Sequence, residues 1–248
     1  TTPSSRASTG APSSGTSRAS RIATAATTTA ASTPGAYVVS APQYIPASAF
    51  PADFPVPLPE GKEIFGSGGA ANSDSGNGTL RASVATGAAS DQYEYDPNNP
   101  VPTLGGNNCC GTLTLAGPKD QRPLQDRKDI LVYTSQPLTE SLAIAGPVKM
   151  KLFAATDGAD TDWVVKLIDV APNGFAMNIC EGIIRARYRN GVDRMELLKP
   201  NEVYEYAIDL VGTANVFLPG HRIRVDITSS HFPQFAAPAA PGPAGGDA

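Results

Sequence analysis

The sequence predicts an all-β fold, a sandwich or jelly roll, on three observations. Apolar residues recur at every second position in short runs, turn signals separate those runs, and no stretch shows a convincing 3.6-residue period. The chain of 248 residues holds 24 glycines and 23 prolines, a composition that favours many turns over long helices.

The candidate strands begin with Lys62–Phe65, Thr79–Val84, Gln92–Tyr95 and Asp129–Tyr133. The strongest are Val148–Ala154, Trp163–Val170, Gly182–Tyr188, Val203–Leu210 and Ile223–Thr228. Val148, Met150 and Leu152 share one face, with Lys149 and Lys151 opposite. Tyr204, Tyr206, Ile208 and Leu210 alternate with Glu205, Ala207 and Asp209. Ile223, Val225 and Ile227 alternate with Arg222, Arg224, Asp226 and Thr228. Such a period of two implies one buried and one wet face. Gly146-Pro147, Asp157-Gly158, Pro172-Asn173-Gly174, Asn190-Gly191 and Pro219-Gly220 supply the turns. A brief helix is expected near Arg194–Leu198, ahead of Pro200.

Composition divides the chain. Residues 1–60 form a Ser/Thr/Ala/Pro-rich segment and linker, with no acidic residue before Asp53 and no leucine before Leu58. Such a segment buries too little apolar surface to offset its ordering entropy, so residues 1–33 are expected to be disordered. Three readings of it stand side by side: a solvated linker, a secreted stalk carrying O-linked sugar, and a GC-rich coding sequence read out of frame. Residues 61–235 form the folded domain, and 236–248 an Ala/Pro/Gly-rich disordered tail.

A net charge of −4 gives no electrostatic case for nucleic acid or an anionic membrane. No apolar run of bilayer-spanning length is present. Cys109, Cys110 and Cys180 read as small thiols in a reducing compartment, with a bond from one of the first two to Cys180 as the alternative. That usage favours the cytoplasm and leaves secretion open.

The search for chemistry finds no complete site. Gly-x-Ser-x-Gly is absent, and Gly66-Ser67-Gly68-Gly69 lacks its spacing. Only His221 and His231 could serve as imidazole bases. Ser230 and His231 are neighbours on an extended chain, so their side chains should diverge. Both histidines read as structural or interface residues. Asp157, Asp160 and Asp162 read as solvated carboxylates, or as a calcium loop outside the EF-hand pattern. Trp163, Tyr188, Tyr204 and Phe217 could line a sugar-binding face, although Trp163 opens an apolar strand and fits a core. No cofactor and no metal are expected.

Seven stretches then carry a resemblance. They are Ser67-Gly68-Gly69-Ala70-Ala71-Asn72-Ser73, Tyr95-Asp96-Pro97 with Pro100–Gly106, Asp120-Gln121-Arg122-Pro123, and Leu131–Ser135 with Pro137-Leu138. Asp160-Thr161-Asp162-Trp163, Gly182–Arg189 and Pro219–Arg224 complete the series. In this order, from Gly66 to Phe235, they resemble the C-terminal domain of the X-Pro dipeptidyl-peptidase and cocaine-esterase family of serine hydrolases. The resemblance implies a galactose-binding-like jelly roll that follows an α/β-hydrolase domain and packs on it, in cis in the family or in trans. The triad of that family lies in the hydrolase domain, so no catalytic residue carries over to this chain. The expected function is a non-catalytic accessory domain; a free-standing carbohydrate-binding or assembly module is the alternative. Asp96 and Pro102 in the first loop, and Asp120 and Arg122 in the second, are the expected contacts with the hydrolase domain. Arg122 is expected to form a bidentate pair across that boundary.

Overall fold

The computed structural model describes residues 18–22, 27–30, 62–81, 90–108 and 116–235. Eleven strands appear among them. In chain order they are β1 (Arg18–Ile22), β2 (Thr27–Ala30), β3 (Lys62–Gly66), β4 (Thr79–Arg81), β5 (Asp91–Tyr95) and β6 (Leu131–Thr134). The rest are β7 (Leu142–Thr156), β8 (Asp162–Val170), β9 (Ala176–Arg185), β10 (Tyr204–Phe217) and β11 (Arg222–Thr228). Apart from two 3₁₀ turns, Arg122–Leu124 and Ala186–Tyr188, no helix occurs among the described residues. The chain is all-β, as its alternation predicts.

The strands form two packed layers. One runs β6-β11-β8-β9, antiparallel throughout. The other centres on β7, with β10 along one edge and β1 and β2 along the other. β5 and β3 lie outside β1 and β2, and β4 links β3 to β6 through a single parallel bridge. One apolar core fills the space between the layers. It draws Val148, Met150, Leu152 and Ala154 from β7, and Tyr206, Ile208 and Leu210 from β10. From the facing layer it takes Trp163, Val165, Leu167, Ile223, Val225 and Ile227. Trp163 and Tyr206 meet across it with ring centroids 5.8 Å apart.

The alternation read in β10 holds, with Glu205, Ala207 and Asp209 exposed and Tyr206, Ile208 and Leu210 buried. Four expectations change. Gly146-Pro147 does not end a strand but lies inside β7, because β10 bulges between Asp209 and Gly212 where Pro147 would otherwise lack a ladder partner. The strand expected over Gly182–Tyr188 begins earlier, at Ala176, and turns into the 3₁₀ segment at Ala186. No helix forms over Arg194–Leu198: the Glu196 amide donates to Arg187 O, the Leu198 amide to Ala159 O, and Leu198 is buried. These backbone groups are satisfied by neighbouring loops, not by an i−4 ladder.

The fourth change concerns the amino-terminal segment. Arg18–Ile22 and Thr27–Ala30 are strands where disorder was expected. Backbone hydrogen bonds to an open strand edge need no large apolar side chains, so composition alone does not exclude pairing. The remainder of residues 1–61, the end of the expected Thr79–Val84 strand, Cys109, Cys110 and the 236–248 tail lie outside the described residues.

Candidate docking face and the buried polar layer beneath it

Alternation in β11 predicts a wet outer face, and the structure corrects this. Lys166, Arg224, Asp226 and Thr228 point away from the apolar core yet are at most 3% exposed. Residues 96–108 and 116–130 fold over them as a third, irregular covering. Leu124, Ile130 and Val132 make a small apolar cluster there with Val101. A two-residue period could not reveal this cover, because it comes from residues distant in sequence.

Beneath the cover lies a polar layer. Arg224 forks onto Asp226 at 2.7 and 3.0 Å and reaches Asp74 at 3.0 Å. Lys166 Nζ donates to Gln121 Oε1 at 3.0 Å, and Gln121 Nε2 donates to the carbonyls of Leu104 and Lys119. Gln121 thereby ties together the two loop stretches that the sequence singles out. Glu181, opposite Lys166 in the β8–β9 register, accepts from the Asn107 amide at 3.2 Å and from Gln234 Nε2 at 2.9 Å. His231 Nε2 lies 3.2 Å from both Glu181 Oε2 and Gln234 Oε1. Gly106 is required at this point: its φ is +101°, and a Cβ there would strike the Glu181 carboxylate.

Burial sets the protonation of this layer. It pulls the Lys166 ammonium down to about 8, against the opposing attraction of Glu181 and Asp226. Burial alone would raise Glu181, but the His231 contact and the Lys166 charge outweigh it and hold the carboxyl below its ordinary range. Burial keeps His231 below 6.5, so it is neutral at pH 7.

The four expected contact residues all lie on the cover. Asp96 is partly exposed and accepts from the Asn98 amide at 2.9 Å, which fixes the loop turn. Pro102 is exposed and bridges in parallel to Phe232, itself 48% exposed. The Thr103 amide donates to Phe232 O and the Phe232 amide to Val101 O, so the two apolar side chains are held side by side. Arg122 pairs with Asp120 within the domain: Nε and Nη2 both reach the single oxygen Oδ2, at 2.7 and 2.6 Å. Asp120 Oδ1 also accepts from the amides of Arg122 and Ala176. The guanidinium remains half exposed and lies 5.8 Å over the Phe175 ring.

The other sequence candidates also find places. Ser230 Oγ accepts from the Val101 amide while His231 turns to Glu181, so the two side chains diverge as expected. His221 Nδ1 pairs with Asp169 at 2.8 Å, but no hydroxyl or thiol bonds to His221 among the described residues. Asp157 is exposed, as a solvated carboxylate would be, whereas Asp160 and Asp162 are engaged by Arg187 and Arg185. Trp163 and Phe217 sit in the core, and Tyr188 and Tyr204 are half-buried. Cys180 is a buried free thiol that burial pushes up to about 12. The sequence reading missed Lys166, Glu181, Gln121 and Phe232. A lysine inside the unbroken apolar run Val164–Ile168 was the available signal.

Comparison with known proteins fits this geometry. Residues 46–248 match the family described as the X-Pro dipeptidyl-peptidase C-terminal non-catalytic domain. The cocaine esterase of Rhodococcus sp. (strain MB1 Bresler) is 44% identical over 188 residues, which are 74% of this chain and 32% of that protein. A putative serine esterase of Mycobacterium bovis is 35% identical over 132 residues, 46% of this chain and 21% of that one. Among solved structures, an aminopeptidase from a marine sediment Thaumarchaeota archaeon aligns with TM-score 0.60 and 36% identity, covering 65% of this chain and 29% of that one. An α-amino acid ester hydrolase aligns with TM-score 0.59 and 31% identity, covering 69% and 29%. The chain thus spans about a third or less of the length of these relatives.

Proposed function

Because the chain belongs to the X-Pro dipeptidyl-peptidase C-terminal non-catalytic domain family, we propose that it is the accessory domain of a serine hydrolase of the dipeptidyl-peptidase or acyl-esterase type. In this reading it packs on an α/β-hydrolase domain and helps to wall the active site. The sandwich is then a galactose-binding-like jelly roll over residues 61–235.

One observation carries the reading. The cover that bears Asp96, Pro102, Asp120 and Arg122 is pinned from below by Gln121 and Glu181. It carries an exposed apolar pair, Pro102 and Phe232, of the kind that a contact between domains buries. In this reading the chemistry belongs to the hydrolase partner.

The test is reconstitution. A cocaine-esterase-type relative truncated of its C-terminal third should form a complex with this chain on gel filtration and regain ester hydrolysis. Separate elution and no gain in activity would count against the proposal. A glycan array tests the carbohydrate-binding alternative.

A further inference from the structure

The edge of β7 opposite β10 is filled in an unusual way. Two short strands, five and four residues long, occupy it in succession. β1 pairs with β7 over Ala154–Thr156 and β2 pairs with β7 over Val148–Lys151. Each also pairs with a strand on its far side, β1 with β5 and β2 with β3. The place they fill is therefore a slot with hydrogen-bonding edges on both sides, long enough for one strand of about nine residues.

The floor of this slot is apolar. Val148, Met150, Leu152 and Ala154 of β7 are 4% exposed or less. The residues in register with Val148, Met150 and Ala154 are Ala30, Thr28 and Ile22. Ile22 is the one large aliphatic residue in β1 and β2. On its other edge β7 has a different kind of neighbour. There β10 alternates buried Tyr206, Ile208 and Leu210 with exposed Glu205 and Asp209, which stand opposite Phe153 and Lys149. Glu205 reaches Lys151 at 2.8 Å. Lys149 and Lys151 are exposed and stand in register with Thr29 and Thr27 on the slot side.

We propose that this slot is a strand-acceptor site. It takes, from another polypeptide, an extended segment that alternates apolar residues with acidic ones, displacing β1 and β2. The occupant gains two backbone ladders, apolar contact with Val148, Met150 and Leu152, and charge complementarity with Lys149 and Lys151. The strands that it replaces, RASRI and TTTA, gain the same ladders but offer one large aliphatic residue, Ile22. The proposal is independent of docking to a hydrolase domain, which uses the cover on the opposite layer.

The probe is a nine-residue synthetic peptide alternating Val or Ile with Glu. The control is the same peptide with a central proline. Two proteins are compared by fluorescence anisotropy: the full chain, and the full chain carrying Ser20→Pro and Thr28→Pro. Proline removes ladder donors from β1 and β2 and opens the slot. The peptide should bind the double-proline chain at least about tenfold more tightly than the unaltered chain, and the proline-interrupted peptide should bind neither. Hydrogen exchange on the unaltered chain supplies a second readout that does not depend on the variant folding. Saturating peptide should abolish amide protection over residues 18–30 and leave β7 protected. Absence of binding, equal binding by the proline-interrupted peptide, or binding that leaves residues 18–30 protected would each overturn the proposal.

Discussion

Lys166 and Glu181 stand directly opposite one another on β8 and β9, each 3% exposed, on the face of the sheet turned away from the apolar core. This cross-strand pair is the charged centre of the layer that fixes the loop cover. Removing one partner leaves the other charge buried. Glu181→Gln should therefore cost about 3–5 kcal/mol, read as a lower urea midpoint with an unchanged slope. The double change with Lys166→Met should cost less than Glu181→Gln alone. A single variant with the unaltered midpoint would show that the pair is not the fastening described.

Two groups in this layer give opposite ends of a pH profile. His231 lies below 6.5 in the folded chain, so the unfolded chain binds more protons as pH falls through 6.5. Stability should drop on that side, and His231→Gln should flatten the fall. Lys166 sits at about 8 folded and 10.5 unfolded, so stability should rise between those values as pH increases. Lys166→Met should remove that rise. Urea titrations at intervals from pH 5 to 10.5 check both signs.

Trp163 is fully buried between the layers, against Tyr206. Trp163→Ala should destabilise the domain by about 3–5 kcal/mol through lost burial and a residual cavity. An unaffected thermal midpoint would mean that the two layers do not share the core described.

Phe232 is exposed beside Pro102, so truncating it removes little internal packing. Phe232→Ala should leave the isolated domain near its original stability and weaken its complex with a hydrolase domain about tenfold, by isothermal calorimetry. Arg122→Ala should behave in the same direction, because its guanidinium is half exposed and already paired with Asp120. Equal affinity of both variants and the unaltered chain would place docking elsewhere.

The strands were legible where periodicity and burial coincide. β10 alternates Tyr206, Ile208 and Leu210 with exposed residues, and the pattern survives intact. β11 has the same period, but Arg224 and Asp226 are buried, and Arg224 bonds Asp74, 150 residues earlier in the chain. Periodicity tells two faces apart and says nothing of what covers the second one. Gly146-Pro147 shows the same limit at short range. It has the composition of a turn, and only the bulge on β10 lets it continue a strand. The two loops proposed to meet a hydrolase domain were singled out from sequence, whereas the residues that pin them were not, since Gln121 and Glu181 act through distant partners.

The claim that the chain is non-catalytic is tested most directly by its own reactivity. The purified chain is incubated with p-nitrophenyl esters and X-Pro-nitroanilides, and separately with a fluorophosphonate probe followed by mass spectrometry. The account predicts no turnover above buffer and no labelled serine. Turnover that survives repurification together with a labelled serine would contradict it.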